Sequence, residues 1–320
     1  MTGAGSRPAD LIVRPYTPDD RDPWDALAAS ARARHFMFQR AYMEYHADRF
    51  PDASLVVTRG GRFCALLPAS RHGDTVISHG GLTFGGMLSG PEQTIGRTHD
   101  AFDAIAAVLR ENGVERLVYK PLPHIYHLGA AEEELVVLQS RGARLIRREV
   151  SAAISPAFRA APSGARRRAA AQGMSRSIAF GPDDAVEEFM GLVAAVLDER
   201  HGVPATHTPQ EMRLLADRFP SQIRLFTARL DGELLAGALV YETPTVGHTQ
   251  YIAASARGRE LSASDALLTH LIADRYPDRW FDFGISNEPD GSLNEGLARY
   301  KEAFGARTIV YDRYELALSP

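Results

Sequence analysis

The chain repeats one pattern of elements at a spacing of half its length. Residues 54–70 read as two strands around Gly60-Gly61, and residues 223–242 as two strands around Asp231-Gly232. A further stretch with strand character follows each hairpin, 75–88 in the first half and 249–254 in the second. Next comes an amphipathic helix, with Phe102, Ile105, Ala106 and Leu109 on one face in the first copy and Leu267, Leu268, Leu271 and Ile272 in the second. Each half then returns to a strand, 117–119 and 280–283, followed by a loop and another helix. Those helices end in the same tripeptide, Gly142-Ala143-Arg144 and Gly305-Ala306-Arg307, ahead of strands 145–154 and 308–316. A period of roughly 165 residues is far beyond the roughly 20 to 50 of a solenoid unit, so the pattern predicts two duplicated α/β domains with mixed sheets. Two unrelated α/β domains sharing commonplace turns are the alternative.

Length supports two cores, since 320 residues exceed what a single core of about 150 residues serves. The expected division is 1–155, a linker with a basic helix at 156–182, and 183–320. Residues 183–200 open the second domain as a helix, with Val186, Phe189, Met190, Val193 and Leu197 facing inward. At 45% apolar and 24% charged residues the chain is globular rather than disordered. A net charge of −4 offers polyanions no global attraction, so any nucleic-acid contact needs a local basic patch. The single cysteine, Cys64, excludes an internal disulfide and a four-cysteine metal site. No apolar run reaches the length of a membrane helix, and a soluble, cytoplasmic protein is the expectation. The small, polar residues 1–10 are expected to be mobile.

Three stretches carry a family resemblance. They are Trp280-Phe281-Asp282-Phe283-Gly284-Ile285-Ser286-Asn287, then Leu293-Asn294-Glu295-Gly296-Leu297 with Tyr300-Lys301-Glu302-Ala303-Phe304-Gly305, and His79-Gly80-Gly81-Leu82-Thr83-Phe84-Gly85-Gly86. Together with the repeat they resemble the GNAT-fold proteins of the Fem-like branch. The resemblance implies two tandem GNAT-like domains with the acceptor in a cleft between them and the donor on the second. Fem-type enzymes move an amino acid from aminoacyl-tRNA to a peptidoglycan precursor, and other relatives use acyl-CoA. The implied activity is therefore amide-forming acyl transfer to a small-molecule or peptide amine, with aminoacyl-tRNA or acyl-CoA as co-substrate and no tightly bound cofactor. A catalytically silent ligand-binding pair is the alternative from another class.

For the donor, the run Arg257-Gly258-Arg259-Glu260-Leu261-Ser262-Ala263-Ser264 resembles the family's pyrophosphate loop, where backbone N–H groups at a helix start meet negative charge. Ser262 and Ser264 stand where glycines are expected, so the run also reads as a plain helix cap. Gln250 and Tyr251, on the strand before it, are further donor candidates, as are Asn294 and Tyr300 on the penultimate helix. That helix, 293–303, is expected to start with a Ser292/Glu295 capping box and to bury Leu293, Leu297, Tyr300 and Phe304. In the resemblance, Lys301 stabilises the carbonyl oxyanion; the plain alternative is a solvated lysine. Asp282, or a water held by Asn287, could take the amine's proton.

For the acceptor, His79, Lys120 and Ser286 lie in loops, with His124 and His127 nearby in sequence but without the spacing of a zinc site. His201 and His207 flank Pro204, with no direction assigned. Arg166, Arg167, Arg168 and Arg176 form the basic patch, either for tRNA phosphates or as a solvated helix.

Overall fold

The computed structural model describes residues 11–318 other than 203, with the side chains of Arg200 and His201 left aside. The expectation for residues 1–10 lies outside that range, and so does the side chain of His201. The chain divides into two compact units, Met1–Arg148 with Val310–Pro320, and Glu149–Ile309.

In the first unit, β1 (Leu11–Pro15), α1 (Arg21–Ser30) and α2 (Arg40–Met43) precede the hairpin β2 (Leu55–Arg59) and β3 (Arg62–Leu67). Short strands β4 (Ser70–His72), β5 (Thr75–Ile77) and β6 (Leu88–Ser89) follow, then α3 (Ile95–Glu111), β7 (Arg116–Tyr119), α4 (Glu133–Ser140) and β8 (Arg144–Ile154), which runs into the second unit. One sheet has the order β1-β2-β3-β6. Its hairpin turns on Gly60 and Gly61 at φ +56° and +75°, the left-handed pair a two-residue turn requires. The expected strand at 75–88 is realised only at its two ends. Between them the chain loops so tightly that a Cβ on Gly85 would lie 1.9 Å from the Ser78 carbonyl oxygen. Phe102, Ile105, Ala106 and Leu109 of α3 are all buried in one core with Leu55, Val57 and Leu67, the phenylalanine, isoleucine and leucine each contributing roughly 1.5–3 kcal/mol.

The second unit opens with α5 (Gly164–Met174) and β9 (Ala179–Asp183), then α6 (Val186–His201) and α7 (Pro209–Arg218). The hairpin β10 (Ile223–Leu230) and β11 (Glu233–Glu242) turns on Asp231 and Gly232, again both left-handed at φ +51° and +84°. After it come β12 (Val246–Ala254), α8 (Ala256–Glu260), α9 (Ala263–His270), β13 (Trp280–Ile285) and α10 (Glu295–Glu302), and β14 (Arg307–Ala317) starts in this unit and runs into the first. Within the unit the sheet order is β8-β13-β12-β11-β10-β9, antiparallel except for β12 and β13, which run parallel. Both halves therefore run from a hairpin to a helix, a strand, a helix and a strand, but the first has three short strands, β4, β5 and β6, where the second has β12, and the second adds the short helix α8 before α9, in a mixed α/β fold.

Two details differ from the sequence reading. The stretch 155–181 reads as a linker, yet its end is β9, an edge strand paired to β10, and its helix α5 packs on α9. Small residues allow this: Ala170 and Gly173 are buried, and a Cβ on Gly173 would stand 2.7 Å from the Ser262 carbonyl oxygen. The arginines had disguised a helix with a narrow buried face. The helix expected at 183–200 starts three residues later, because Asp183 still belongs to β9.

Candidate active site

The strands β12 and β13 pair at only three positions, Val246↔Trp280, Gly247↔Phe281 and His248↔Asp282, although both continue further. Each has an irregularity just beyond. On β12, Tyr251 pairs with Leu239 and Thr249 with Val240, leaving Gln250 as the extra residue of a bulge. On β13, Gly284 takes φ +76°, and the register against β8 shifts between Asp282 and Ile285. Bulges bend and twist a strand, and at these diverging ends lies a cavity of about 590 Å³. Its apolar walls include Val196, Ile252, Ala254, Phe283 and Leu297; its polar groups are Arg259, Ser264, Asp265, Asn294, Tyr300 and Lys301.

Lys301 is the buried cation of this cavity, and Arg259 is an exposed one. Lys301 is only 4% exposed, and Nζ donates to the Gly284 carbonyl oxygen at 2.8 Å and the Ile285 carbonyl oxygen at 2.6 Å. Burial pushes its pKa down to about 8, partly offset by the charge of Asp282. The solvated-lysine alternative is thereby removed. The face of α10 is rotated from the expected one, since Leu293 and Leu297 are 46% and 39% exposed while Lys301 and Phe304 are buried. Nor does Ser292 cap this helix. The cap is Asn294, whose Oδ1 accepts from the Leu297 N–H at 2.8 Å and whose Nδ2 donates to Glu288 at 2.6 Å, whereas Ser292 bonds Asp290.

Asp282 is fully buried and fully engaged. Its Oδ1 accepts from Ser151 Oγ at 2.7 Å and the Gly284 N–H at 3.0 Å, and its Oδ2 lies 2.9 Å from His248 Nδ1. His248 has no sequence signal pointing to it; only the β12–β13 register brings it to Asp282. Asn287 is spent on backbone, accepting from the Val150 N–H at 2.6 Å and donating to the Gly291 carbonyl at 2.8 Å. Ser286 is buried, and its hydroxyl has no hydrogen-bond partner among the described residues.

Among the donor candidates the structure separates two groups. Arg259, Ser264, Asn294 and Tyr300 line the cavity with Lys301. Gln250, Tyr251, Arg257 and Ser262 do not: Tyr251 OH bonds His207 Nδ1 at 2.7 Å, and Arg257 pairs with Glu233. Gly258 serves packing, because a Cβ there would lie 1.9 Å from the Leu235 carbonyl oxygen. Ser262 occupies the cap position of α9 in left-handed backbone, φ +56°, but its hydroxyl caps nothing. The cap in this loop is Ser255, which accepts from the Gly258 N–H at 3.0 Å at the start of α8. In the first turn of α9 stands Asp265, 9% exposed and paired with Arg166.

That pairing splits the arginine patch. Arg166 lies over the rings of Tyr300 and Phe304, 4.7 and 5.5 Å from their centroids, so its role is internal to the second unit. Its charge and that of Asp265 push the Tyr300 hydroxyl in opposite directions, but burial dominates and raises it to about 12. Arg167, Arg168 and Arg176 are exposed, with no carboxylate partner among the described residues.

The remaining acceptor candidates lie in the first unit. Lys120 Nζ donates to the Leu82 carbonyl oxygen, its backbone N–H to Ser78 Oγ at 2.8 Å, and its carbonyl accepts from the Gly85 N–H at 2.7 Å, so it braces the glycine-rich loop. His79 is buried at φ +60°, and burial, reinforced by His46 and Lys120, holds its pKa well below the ordinary histidine value.

Residues 157–302, within the second unit, match the acetyltransferase (GNAT) domain family. Among solved structures, FemX superposes with a TM-score of 0.68 at 11% identity, over 96% of this chain and 97% of that one. The chain has a Fem-like tandem GNAT fold. The Fem-like fold extends to L-PGS from Bacillus licheniformis, with a TM-score of 0.61 at 10% identity over 96% and 94% of the two chains. A tandem GNAT protein from the clavulanic acid biosynthesis pathway gives 0.50 at 15% identity over 97% and 99%. No curated protein matches the sequence. Among the described residues, no helix of this Fem-like chain is long and apolar enough to cross a membrane.

Proposed function

We propose that the chain forms an amide by transferring an aminoacyl group from aminoacyl-tRNA to the amine of a small molecule or peptide. The observation that carries the reading is Lys301, a buried cation at the mouth of two diverging strands, on the wall of a cavity large enough for an aminoacyl group. Its Nζ spends two donors on the Gly284 and Ile285 carbonyls. An ammonium carries a third. Directed at the donor's carbonyl oxygen, it holds the charge that develops when the amine attacks, an interaction worth a few kcal/mol, or about 10²-fold or more, in a dry site.

Charge favours the aminoacyl donor. Beside the first turn of α9 stands the Asp265 carboxylate, paired with Arg166 and complementary in sign to the α-ammonium of an aminoacyl group, while Arg259 on the same cavity would suit an anion. Arg167, Arg168 and Arg176 supply exposed positive charge for phosphates of the tRNA. Acyl-CoA is the second reading, favoured by the match to an acetyltransferase domain. The test offers mixed aminoacyl-tRNAs and acetyl-CoA, each radiolabelled in the acyl group, with a panel of amines. Amide formed from aminoacyl-tRNA supports the reading. Consumption of acetyl-CoA alone overturns the donor, and consumption of neither overturns the enzyme.

A further inference from the structure

We infer that His248, oriented by Asp282, accepts the proton the acceptor amine loses as the amide forms. The inference rests on the amide-forming reading above and adds to it a residue of β12.

The sequence points to Asp282, or a water held by Asn287, as the proton acceptor, but Asn287 is engaged with backbone, and the Asp282 carboxylate is 0% exposed and already accepts from Ser151 Oγ and the Gly284 N–H while contacting His248 Nδ1 at 2.9 Å. A buried carboxylate so engaged is poorly placed to meet a substrate. It is well placed to fix an imidazole. As an acceptor facing Nδ1, Asp282 selects the tautomer with the proton on Nδ1, which leaves the lone pair on Nε2. Nε2 has no hydrogen-bond partner among the described residues, and the side chain retains 11% exposure.

The position of the ring is as informative as its tautomer. A Cβ on Gly284 would come within 3.2 Å of His248 Cε1 and 3.9 Å of Nε2, so the imidazole edge lies against that glycine. The carbonyl oxygen of the same residue accepts from Lys301 Nζ at 2.8 Å. The same left-handed glycine thus lies against the imidazole and accepts from the ammonium, which brings a base and an oxyanion donor to one residue.

The step balances without a further reagent. As the amine nitrogen bonds to the carbonyl carbon, its proton moves to His248 Nε2 and the C=O electron pair moves to the oxygen beside Lys301. When that pair returns, the bond from carbon to the 3′ oxygen of the tRNA breaks, and the departing oxygen takes the proton back from Nε2. The products are an amide and a free hydroxyl.

The experiment has two arms on the full chain. In the first, ¹⁵N NMR of the wild-type histidine resonances, assigned by through-bond correlation in the wild-type chain itself, is expected to show the neutral His248 ring protonated at Nδ1 and not at Nε2; the opposite tautomer overturns the proposal, and the measurement needs no folded variant. In the second, single-turnover amide formation by His248→Asn is expected to slow by about 10²-fold or more, with KM for the acceptor unchanged and rate partly restored by added imidazole. A variant that turns over at the wild-type rate, or loses rate only through KM, overturns the base while leaving the amide-forming reading standing. A wild-type chain that makes no amide from either donor class removes that reading itself, and the inference with it.

Discussion

The Lys301 ammonium and the Gly284 carbonyl are joined by a 2.8 Å hydrogen bond, and the glycine backbone at that point is left-handed. The relationship is mutual. Gly284 makes the irregularity in β13, and Lys301, from a helix that starts beyond the next loop, satisfies the carbonyls that the irregularity turns away from the strand ladder.

Replacing the ammonium separates chemistry from folding. Lys301→Met keeps the length of the stem and is expected to retain the fold while lowering kcat by about 10²-fold or more. If rate depends on the ammonium, it declines as pH rises through about 8, where Lys301 loses its proton. Stability moves the other way. The folded pKa lies below the ordinary value of 10.5, so between about 8 and 10.5 the unfolded chain binds more protons and stability rises with pH. A pH–rate profile and thermal unfolding of both proteins check the two signs, and full activity in the methionine variant removes Lys301 from the mechanism.

Gly284→Ala tests the glycine itself. A side chain in left-handed backbone costs about 1–2 kcal/mol, and the new Cβ would press on His248 at 3.2 Å. We expect a modest fall in melting temperature together with a loss of kcat larger than that stability change explains. Unchanged kcat in a folded variant would show that neither Lys301 nor the ring depends on this position.

The four arginines should behave as two classes. Arg166→Ala leaves Asp265 without its partner and strips the cover from Tyr300, and it should destabilise the chain by about 2 kcal/mol or more. Combined replacement of Arg167, Arg168 and Arg176 by Ala should leave the melting temperature within about 1 °C. If those three touch phosphates, the same variant weakens tRNA binding and flattens the slope of log K against log salt by about 2. Binding that keeps the wild-type slope assigns the surface to solvent.

Much of the framework was readable because it is local. Gly60-Gly61, Asp231-Gly232, Gly142 and Gly305 all stand at positive φ, where turns and helix ends need them, and the four-residue apolar face of α3 is buried as its periodicity requires. The site was less readable because it depends on distant backbone. A lysine reads as solvent-facing unless carbonyls are known to wait for it, and those of Gly284 and Ile285 become available through a shift in strand register. His248 lies 34 residues from Asp282 and meets it only through parallel pairing. Arg166 looked like part of a charge run, but aromatic rings 134 and 138 positions later enclose it.

The first unit holds a titration unrelated to the cavity. Glu134 on α4 is buried with the Tyr119 hydroxyl, which in turn accepts from the Met87 N–H at 2.5 Å, and burial raises the carboxyl's pKa from 4.5 to about 8. Folding therefore takes up a proton between those values. With the folded state binding more protons than the unfolded chain, stability falls as pH rises from about 4.5 to 8, by up to about 1.4 kcal/mol per pH unit. Glu134→Gln keeps the shape and a hydrogen-bonding oxygen for Tyr119 but cannot ionise. Urea unfolding across this range should show the glutamine variant gaining on the wild type as pH rises, with the two close to equal near pH 4.5. Parallel curves would mean that the carboxyl enters the folded state already ionised, contrary to the cost of burying its charge beside an apolar core.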